Sequence, residues 1–235
     1  MEAAAAESND EKTHFRVCRF LMETGVKLGL HSLPLATACS AYHRFFSTCQ
    51  LTAYDPYLVA LACIYLSGKL EEQHVRLRDI INVGYRCLHR DAQPLDLGPG
   101  YWELRDSLVQ CEFLVLRVLG FKLTFDHPHR YLLYYLMSLR DWLGHTLWSK
   151  VPVAETAWAL LRDSGLRGEA FQRFKPQHVA VGAVYLALEF HGVQVPGDNN
   201  AKLHWWQAVC RDIIPQILWD VVAELITTYD LDGRA

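Results

Sequence analysis

The sequence predicts an all-α fold built from two tandem five-helix bundles. Apolar residues recur at three- and four-residue spacing along most of the chain, which is the period of a helix with one buried face. No segment shows the convincing alternation of a half-buried strand. A helical phrase also occurs twice, as expected when one small domain is repeated. With 51% hydrophobic and 21% charged residues, the composition is that of a globular protein.

The repeated phrase spans residues 56–66 and 176–186, which align without a gap and share five identical residues. The body of the first copy is apolar all round, which is typical of a helix buried on every side. The two copies differ in charge beyond this phrase: the first has Lys69 where the second has Glu189. We expect the shared residues to form the core and the differing residues to show where function lies.

The first half contains five predicted helices. Proline is favoured in the first helical turn, and Asp is favoured as the residue that caps it, which predicts the start of the third helix at Asp55 and Pro56. Ser32 is predicted to cap the second helix. The predicted helices run from Phe15 to Leu30, Leu35 to Phe46, Pro56 to about Lys69, Leu77 to Leu88, and about Tyr101 to Leu119. Residues 1–13 are predicted to be a flexible tail, residues 14–124 the first domain and residues 125–235 the second.

The second half repeats this count, with a proline at the expected first turn of four of its five helices. The predicted segments run from Pro128 to Leu143, Pro152 to about Asp163, Pro176 to Phe190, about Trp205 to Asp212, and Pro215 to Tyr229.

Charge and cysteine content restrict the function classes. The formal net charge is −3, so no strong basic field is available to attract nucleic acid or an anionic membrane. The seven cysteines are an odd number without a C-x-x-C pair, and the chain begins without a secretory signal. These features predict a reducing intracellular location, nuclear or cytoplasmic. No apolar run reaches the length of a membrane span.

The motifs that resemble catalytic or metal-binding sequences are isolated. Residues 89–91 read His-Arg-Asp, as at the start of a kinase catalytic loop, but the Asn, Gly-rich strand and D-F-G of a kinase are missing. Residues 127–129 read His-Pro-His with no further ligand at metal-site spacing. Residues 71–74 lack the order of a metalloprotease helix. The sequence therefore predicts no catalytic residue, no cofactor and no metal, and a binding function becomes the default.

Four motifs together resemble those of cyclins, and the match covers about residues 15–230. They are Ala36-Thr-Ala-Cys-Ser-Ala-Tyr-His-Arg-Phe-Phe46, Leu66-Ser-Gly-Lys-Leu-Glu-Glu72, Cys111-Glu-Phe-Leu-Val-Leu-Arg-Val-Leu-Gly-Phe121 and His127-Pro-His-Arg-Tyr-Leu-Leu133. The last opens the second half as it does in transcription-type cyclins. The resemblance implies two five-helix cyclin boxes and a regulatory subunit that is not itself an enzyme.

The resemblance also implies a partner and a site. The chain is similar to the subgroup that forms a heterodimer with cyclin-dependent kinase ten. In the family, a Lys at the end of the third helix and a Glu in the fifth bond to backbone groups at the kinase αC region, and these map onto Lys69 and Glu112. The implied neighbouring contact surface is Leu70, Glu71, Phe113, Leu116, Phe121 and Leu123.

Two features stand apart from this interpretation. Residues 16–21 read Arg-Val-Cys-Arg-Phe-Leu, which differs from the stretch with which cell-cycle cyclins dock Arg-x-Leu peptides. The same fold also serves in general transcription factors of the IIB type, which bind DNA, or as a scaffold. The acidic net charge and the absence of a cysteine-bearing N-terminal ribbon argue against the DNA-binding alternative.

Overall fold

The computed structural model describes residues 2–93, 95–196 and 203–232, and all regular secondary structure in these ranges is helical. The predicted all-α fold class is therefore confirmed. Backbone contacts divide the chain into two units. Of the described residues, the first contains those up to Phe125 together with Gly165–Glu169, and the second contains Asp126–Ser164 and those from Ala170 to Asp232.

In its described residues, the first unit has five α-helices and two short 3₁₀ segments. The helices are α1 (Glu2–Lys27), α2 (Ser32–Phe46), α3 (Pro56–Leu70), α4 (Leu77–Leu88) and α5 (Pro99–Val118). The 3₁₀ segments are Leu51–Ala53 and Gly165–Arg167.

Helix α3 is the centre of the first unit because it packs against all four of the other helices. Its start follows the sequence prediction: the Asp55 carboxylate accepts a hydrogen bond from the Tyr57 amide at 3.0 Å, and Pro56 occupies the first turn. Nine of its residues are buried, from Val59 to Gly68, on every side of the helix. An all-round apolar sequence is what this central position requires.

Two predictions about the N-terminal region differ from the structure. Residues 1–13 were predicted to be a tail, whereas α1 is helical from Glu2. The run of alanines from Ala3 to Ala6 explains the helix, since alanine has the highest helix propensity. Ser32 lies inside α2, whose N-cap is His31 and makes no side-chain capping bond.

The second unit places the repeated phrase in the same central role. Its helices are α6 (His129–Leu143), α7 (His145–Trp148), α8 (Val153–Ser164), α9 (Gly168–Phe171, which straddles the two units), α10 (Pro176–Phe190), α11 (Trp205–Val209) and α12 (Pro215–Asp232). Helix α10 packs against α6, α8 and α12. The two copies of the phrase are thus the core helices of the two units, as the repeat predicted.

Among the helices of the described ranges, none combines the length and apolar character that a membrane crossing requires.

Candidate functional site

The two charged residues singled out from the sequence meet where α3 ends beside the middle of α5. The Lys69 ammonium donates to both Glu112 carboxylate oxygens, each at 2.8 Å. The side chains are unequally exposed, at 42% for Lys69 and 7% for Glu112. The pair therefore combines a buried carboxylate with a cation that still faces solvent.

The helices themselves explain this geometry. Glu112 follows Cys111 on the buried side of α5, where Leu108 and Val115 also face the core. Lys69 lies one turn after Tyr65 on α3, and its ammonium is 3.9 Å from the centre of the Tyr65 ring. A cation over a ring face is attracted by the negative face of the π-system. The Tyr65 ring and the Glu112 carboxylate together hold the flexible lysine side chain in one position.

Exposed phenylalanines lie on the same helix and just beyond it. Phe113 is 59% exposed and Phe121 is 67% exposed, although most large apolar residues of this unit are buried. Leu116 and Leu123 are half-buried and pack against the core. Large aromatic side chains that stay exposed to water are enriched in surfaces that bind a protein partner.

Phe121 has an unusual backbone conformation. Its φ is +56°, and its amide donates to the Leu116 carbonyl at 3.0 Å, which closes the end of α5 after Gly120 at φ +58°. A left-handed conformation is unfavourable for a bulky residue, and such strain is concentrated at functional sites. The turn directs the chain away from α5 at the residue that the sequence assigned to the contact surface.

The turn after α3 is held by contacts that the sequence analysis missed. Thr37 Oγ1 donates to Glu71 Oε1 at 2.6 Å, so this predicted contact residue is tied to α2. The Gln73 side chain accepts from the His31 amide at 2.9 Å and donates to the Gly29 carbonyl at 2.8 Å. The residues of each pair are 34 to 44 positions apart in sequence, so no local sequence pattern predicts these contacts.

Gly68 is required by the same turn. A Cβ atom at this position would lie 2.9 Å from the Gln73 carbonyl oxygen, which is backbone and cannot rotate away. Leu70, the last residue of α3, is half-buried and packs against the core. The backbone at Gln73 thus approaches the last turn of α3 closely, which only a glycine at position 68 permits, and Lys69 and Leu70 follow directly after this contact.

The other candidate motifs have structural explanations. His127 and His129 are half-buried, and desolvation lowers the pKa of each to about 4, so both imidazoles are neutral at pH 7. The His129 ring packs against Trp158, with the ring centroids 5.4 Å apart.

In the described residues, the group with metal-binding side chains is His178, Cys210 and Asp212. Its carboxylate already has a cation partner, because Lys175 Nζ is 2.7 Å from Asp212 Oδ2.

The structure thus defines a helical protein whose first unit carries a charged pair and exposed phenylalanines on and beside α3 and α5. The family model described as "Cyclin, N-terminal domain" matches residues 4–124, about half of the chain. The chain belongs to the cyclin family.

Several curated relatives are similar over most of this chain. Cyclin-T1-4 from Arabidopsis thaliana is 31% identical over 217 residues, which are 91% of this chain and 38% of that protein. Cyclin-L1 from Homo sapiens is 32% identical over 193 residues, which are 80% of this chain and 35% of that protein. The chain thus spans little more than a third of the length of these relatives.

Solved structures share the fold at low sequence identity. A chain in the crystal structure of the yeast RNA Pol II CTD kinase CTDK-1 complex superposes with a TM-score of 0.71 at 18% identity, covering 96% of this chain and 69% of that chain. A viral cyclin from herpesvirus saimiri gives a TM-score of 0.64 at 13% identity, covering 95% of this chain and 87% of that chain.

Proposed function

We propose that this chain is a regulatory subunit that binds and activates a cyclin-dependent kinase through its first unit. The finer assignment is to the cyclin Q (cyclin M) subgroup, with cyclin-dependent kinase ten as the partner in a heterodimer. The sequence motifs around Lys69 and Glu112 support this assignment. The solved complexes of similar fold include the yeast RNA Pol II CTD kinase CTDK-1 complex, which is a kinase assembly by its description.

The observation that carries the proposal is the Lys69–Glu112 pair. Each of these two ions is held in place by the other before a partner arrives, at 2.8 Å to both carboxylate oxygens. Groups that are already positioned lose little conformational entropy on binding. The lysine can donate to a kinase carbonyl and the carboxylate can accept from a kinase amide, and such charge-assisted bonds set the register of an interface.

The exposed phenylalanines supply the apolar area. Fully burying a phenylalanine side chain contributes about 1.5–3 kcal/mol. Phe113 and Phe121 each have roughly 60% of their surface left to bury, so each contributes about 1–2 kcal/mol when a partner covers it.

Activation follows from differential affinity for two kinase states. A kinase becomes active when its αC helix moves inward and its Lys–Glu pair forms. A cyclin that contacts αC in the inward position binds that state more tightly, so the population shifts toward it. The first unit is the docking unit in this proposal, and the second unit is a supporting cyclin box. The similar yeast complex is described as an RNA Pol II CTD kinase, and this favours a nuclear location for the chain.

Direct binding of purified partners tests the proposal. The full chain is titrated into purified cyclin-dependent kinase ten in a calorimeter, and phosphorylation of a peptide substrate is measured with and without the chain. We expect a saturable complex and a kinase rate that rises with its formation. Phe113→Ser should weaken binding about tenfold, since central aromatic contacts carry much of the energy of an interface.

Phe190→Ser is the matched control, because Phe190 is 77% exposed and lies on α10 in the second unit. It should bind like the wild type. Binding to a different cyclin-dependent kinase but not to kinase ten would overturn the partner assignment. Failure to bind or activate any member of that kinase family would overturn the regulatory function.

A further inference from the structure

A histidine, a cysteine and an aspartate converge in the second unit, and none of them belongs to the docking surface proposed above. His178 lies in the first turn of α10, Cys210 is the residue that ends α11, and Asp212 lies in the short loop between α11 and α12. One ligand atom of each side chain lies within 4.8 Å of the other two. Because the three residues come from two separate stretches of the chain, the fold brings them together.

The His178 imidazole has a buried nitrogen without a hydrogen bond. The residue is 3% exposed, and its Nε2 atom has no hydrogen-bond partner among the described residues. This atom lies 3.3 Å from Asp212 Oδ2, although the contact does not have the geometry of a hydrogen bond. Buried polar atoms normally have a partner, and a neutral imidazole nitrogen is the commonest metal ligand in proteins. This nitrogen therefore lacks the partner that a metal ion would provide.

The spacing and the chemistry of the donor atoms fit a zinc site. Cys210 Sγ and Asp212 Oδ1 are 3.3 Å apart, the same distance as between His178 Nε2 and Asp212 Oδ2. Zinc bonds of about 2.0–2.3 Å at tetrahedral angles place two ligand atoms about 3.3–3.6 Å apart. A set of one nitrogen, one sulfur and one oxygen ligand suits Zn²⁺, whereas Mg²⁺ and Ca²⁺ prefer oxygen ligands.

A lysine ammonium is the group that competes for the carboxylate. Lys175 Nζ is 2.7 Å from Asp212 Oδ2, and 62% of the Lys175 side chain is exposed. Gln177 Nε2 donates to the same oxygen at 3.2 Å. An ion pair as exposed as this one contributes little to stability, so a zinc ion can displace the ammonium into water.

We propose that His178 Nε2, Cys210 Sγ and the Asp212 carboxylate bind one Zn²⁺ ion, with a water molecule as the fourth ligand. The Cys210 thiol gives its proton to solvent as the sulfur–zinc bond forms, and no oxidation or reduction occurs. The ion connects the start of α10 to the loop before α12, so its binding stabilises the second unit. The site goes beyond kinase docking, because all three ligands belong to the second unit.

Titration of the metal-free full chain tests the site. The chain is treated with EDTA, the chelator is removed, and Zn²⁺ or Mg²⁺ is added in a calorimeter. We expect saturable binding of Zn²⁺ and none of Mg²⁺. Co²⁺ in place of Zn²⁺ should give the intense visible absorption of a tetrahedral site, together with a thiolate-to-cobalt charge-transfer band in the near ultraviolet. The absence of saturable zinc binding, or a Co²⁺ spectrum without the thiolate band, would overturn the proposal.

Substitution of the two buried ligands locates the site. Cys210→Ser and His178→Gln should each weaken zinc binding about a hundredfold, since even the groups behind a metal ligand are worth about ten- to a hundredfold in affinity. Cys49→Ser and His145→Gln are the matched controls, because both residues are more exposed and neither belongs to the group. The controls should bind zinc like the wild type. An equal loss of affinity in the controls would overturn the location of the site.

Two exposed residues provide variants that leave the core intact. Asp212→Asn keeps the shape of the side chain but removes its charge, and it should weaken zinc binding about tenfold or more. Lys175→Gln removes the competing ammonium, so it should bind zinc as tightly as the wild type or up to about fivefold more tightly. Circular dichroism confirms that each variant remains folded. Weaker binding by Lys175→Gln, or wild-type binding by Asp212→Asn, would overturn the assignment of the ligands.

Discussion

Separating the two roles of the Lys69–Glu112 pair gives the sharpest prediction from this structure. Lys69→Met keeps a long apolar stem but removes the ammonium. That ammonium donates a hydrogen bond to each of Glu112 Oε1 and Oε2, and the carboxylate is only 7% exposed. The single variant therefore leaves a buried charge without its cation, which is among the more costly changes in a protein.

The magnitude is reduced by solvent, because 42% of the Lys69 side chain is exposed and its charge is partly screened. A fully buried pair broken at one end costs about 3–5 kcal/mol. We therefore expect Lys69→Met to destabilise the chain by about 1–3 kcal/mol, which for a protein of this size lowers Tm by about 3–9 °C. Thermal unfolding followed by circular dichroism measures it.

The double variant Lys69→Met/Glu112→Gln distinguishes a structural pair from a docking pair. Glutamine is neutral and nearly isosteric, so the double variant should recover much of the lost Tm. Kinase affinity, measured by calorimetry, should remain at least tenfold below that of the wild type, because the charged groups offered to the kinase are gone. Wild-type affinity in the double variant would refute the docking role, even if both Tm values were as expected.

Two further predictions concern the first unit. Burial lowers the pKa of His43 to about 4 from the ordinary value near 6.5, so below pH 6.5 the unfolded chain takes up a proton that the folded chain does not. His43 therefore lowers the stability of the folded chain as pH falls from 6.5 to 4, and it has no such effect above pH 7. His43→Gln should make the denaturant midpoint less dependent on pH between 4 and 6.5. If the midpoint of this variant falls with pH as steeply as that of the wild type, the assignment to His43 is wrong. Phe121→Gly relieves a residue at φ +56° while removing a ring that is 67% exposed. The Tm of this variant should stay within a few degrees of the wild-type value or rise, since the left-handed conformation costs about 1–2 kcal/mol for a non-glycine residue. Its affinity for the kinase should fall about tenfold, and an unchanged affinity would show that Phe121 is not part of the docking surface.

Local chemistry explains why much of the helical framework could be predicted. Asp55 and Pro56 start α3 where their side chains and ring geometry favour a helical first turn, and the second copy starts at Pro176 for the same reason. Helix α7 and the 3₁₀ segment Gly165–Arg167 were not predicted, because elements of three or four residues are too short to show a period.

The candidate site was predictable only in part. The motifs indicated Lys69 and Glu112 separately, but residues 43 positions apart carry no local signal that one ion neutralises the other. Thr37 likewise gave no sign that its hydroxyl would reach Glu71. Such contacts depend on how the helices pack, so they follow from the tertiary structure and not from spacing along the chain.

The segment Gly165–Glu169 belongs to the first unit although it lies 40 residues beyond Phe125 in the chain, and this limits how the chain can be divided. His43 is fully surrounded there: its Nε2 accepts from the Gly168 amide at 3.1 Å and lies 3.1 Å from Cys18 Sγ. Leu166 packs against the same core. The first unit is thus not one uninterrupted stretch of the chain, and a truncation after Phe125 would remove residues that pack against its core. Transfer of residues 1–125 alone into another protein would lose the same contacts, so the first unit needs the distant segment Gly165–Glu169 to complete its core.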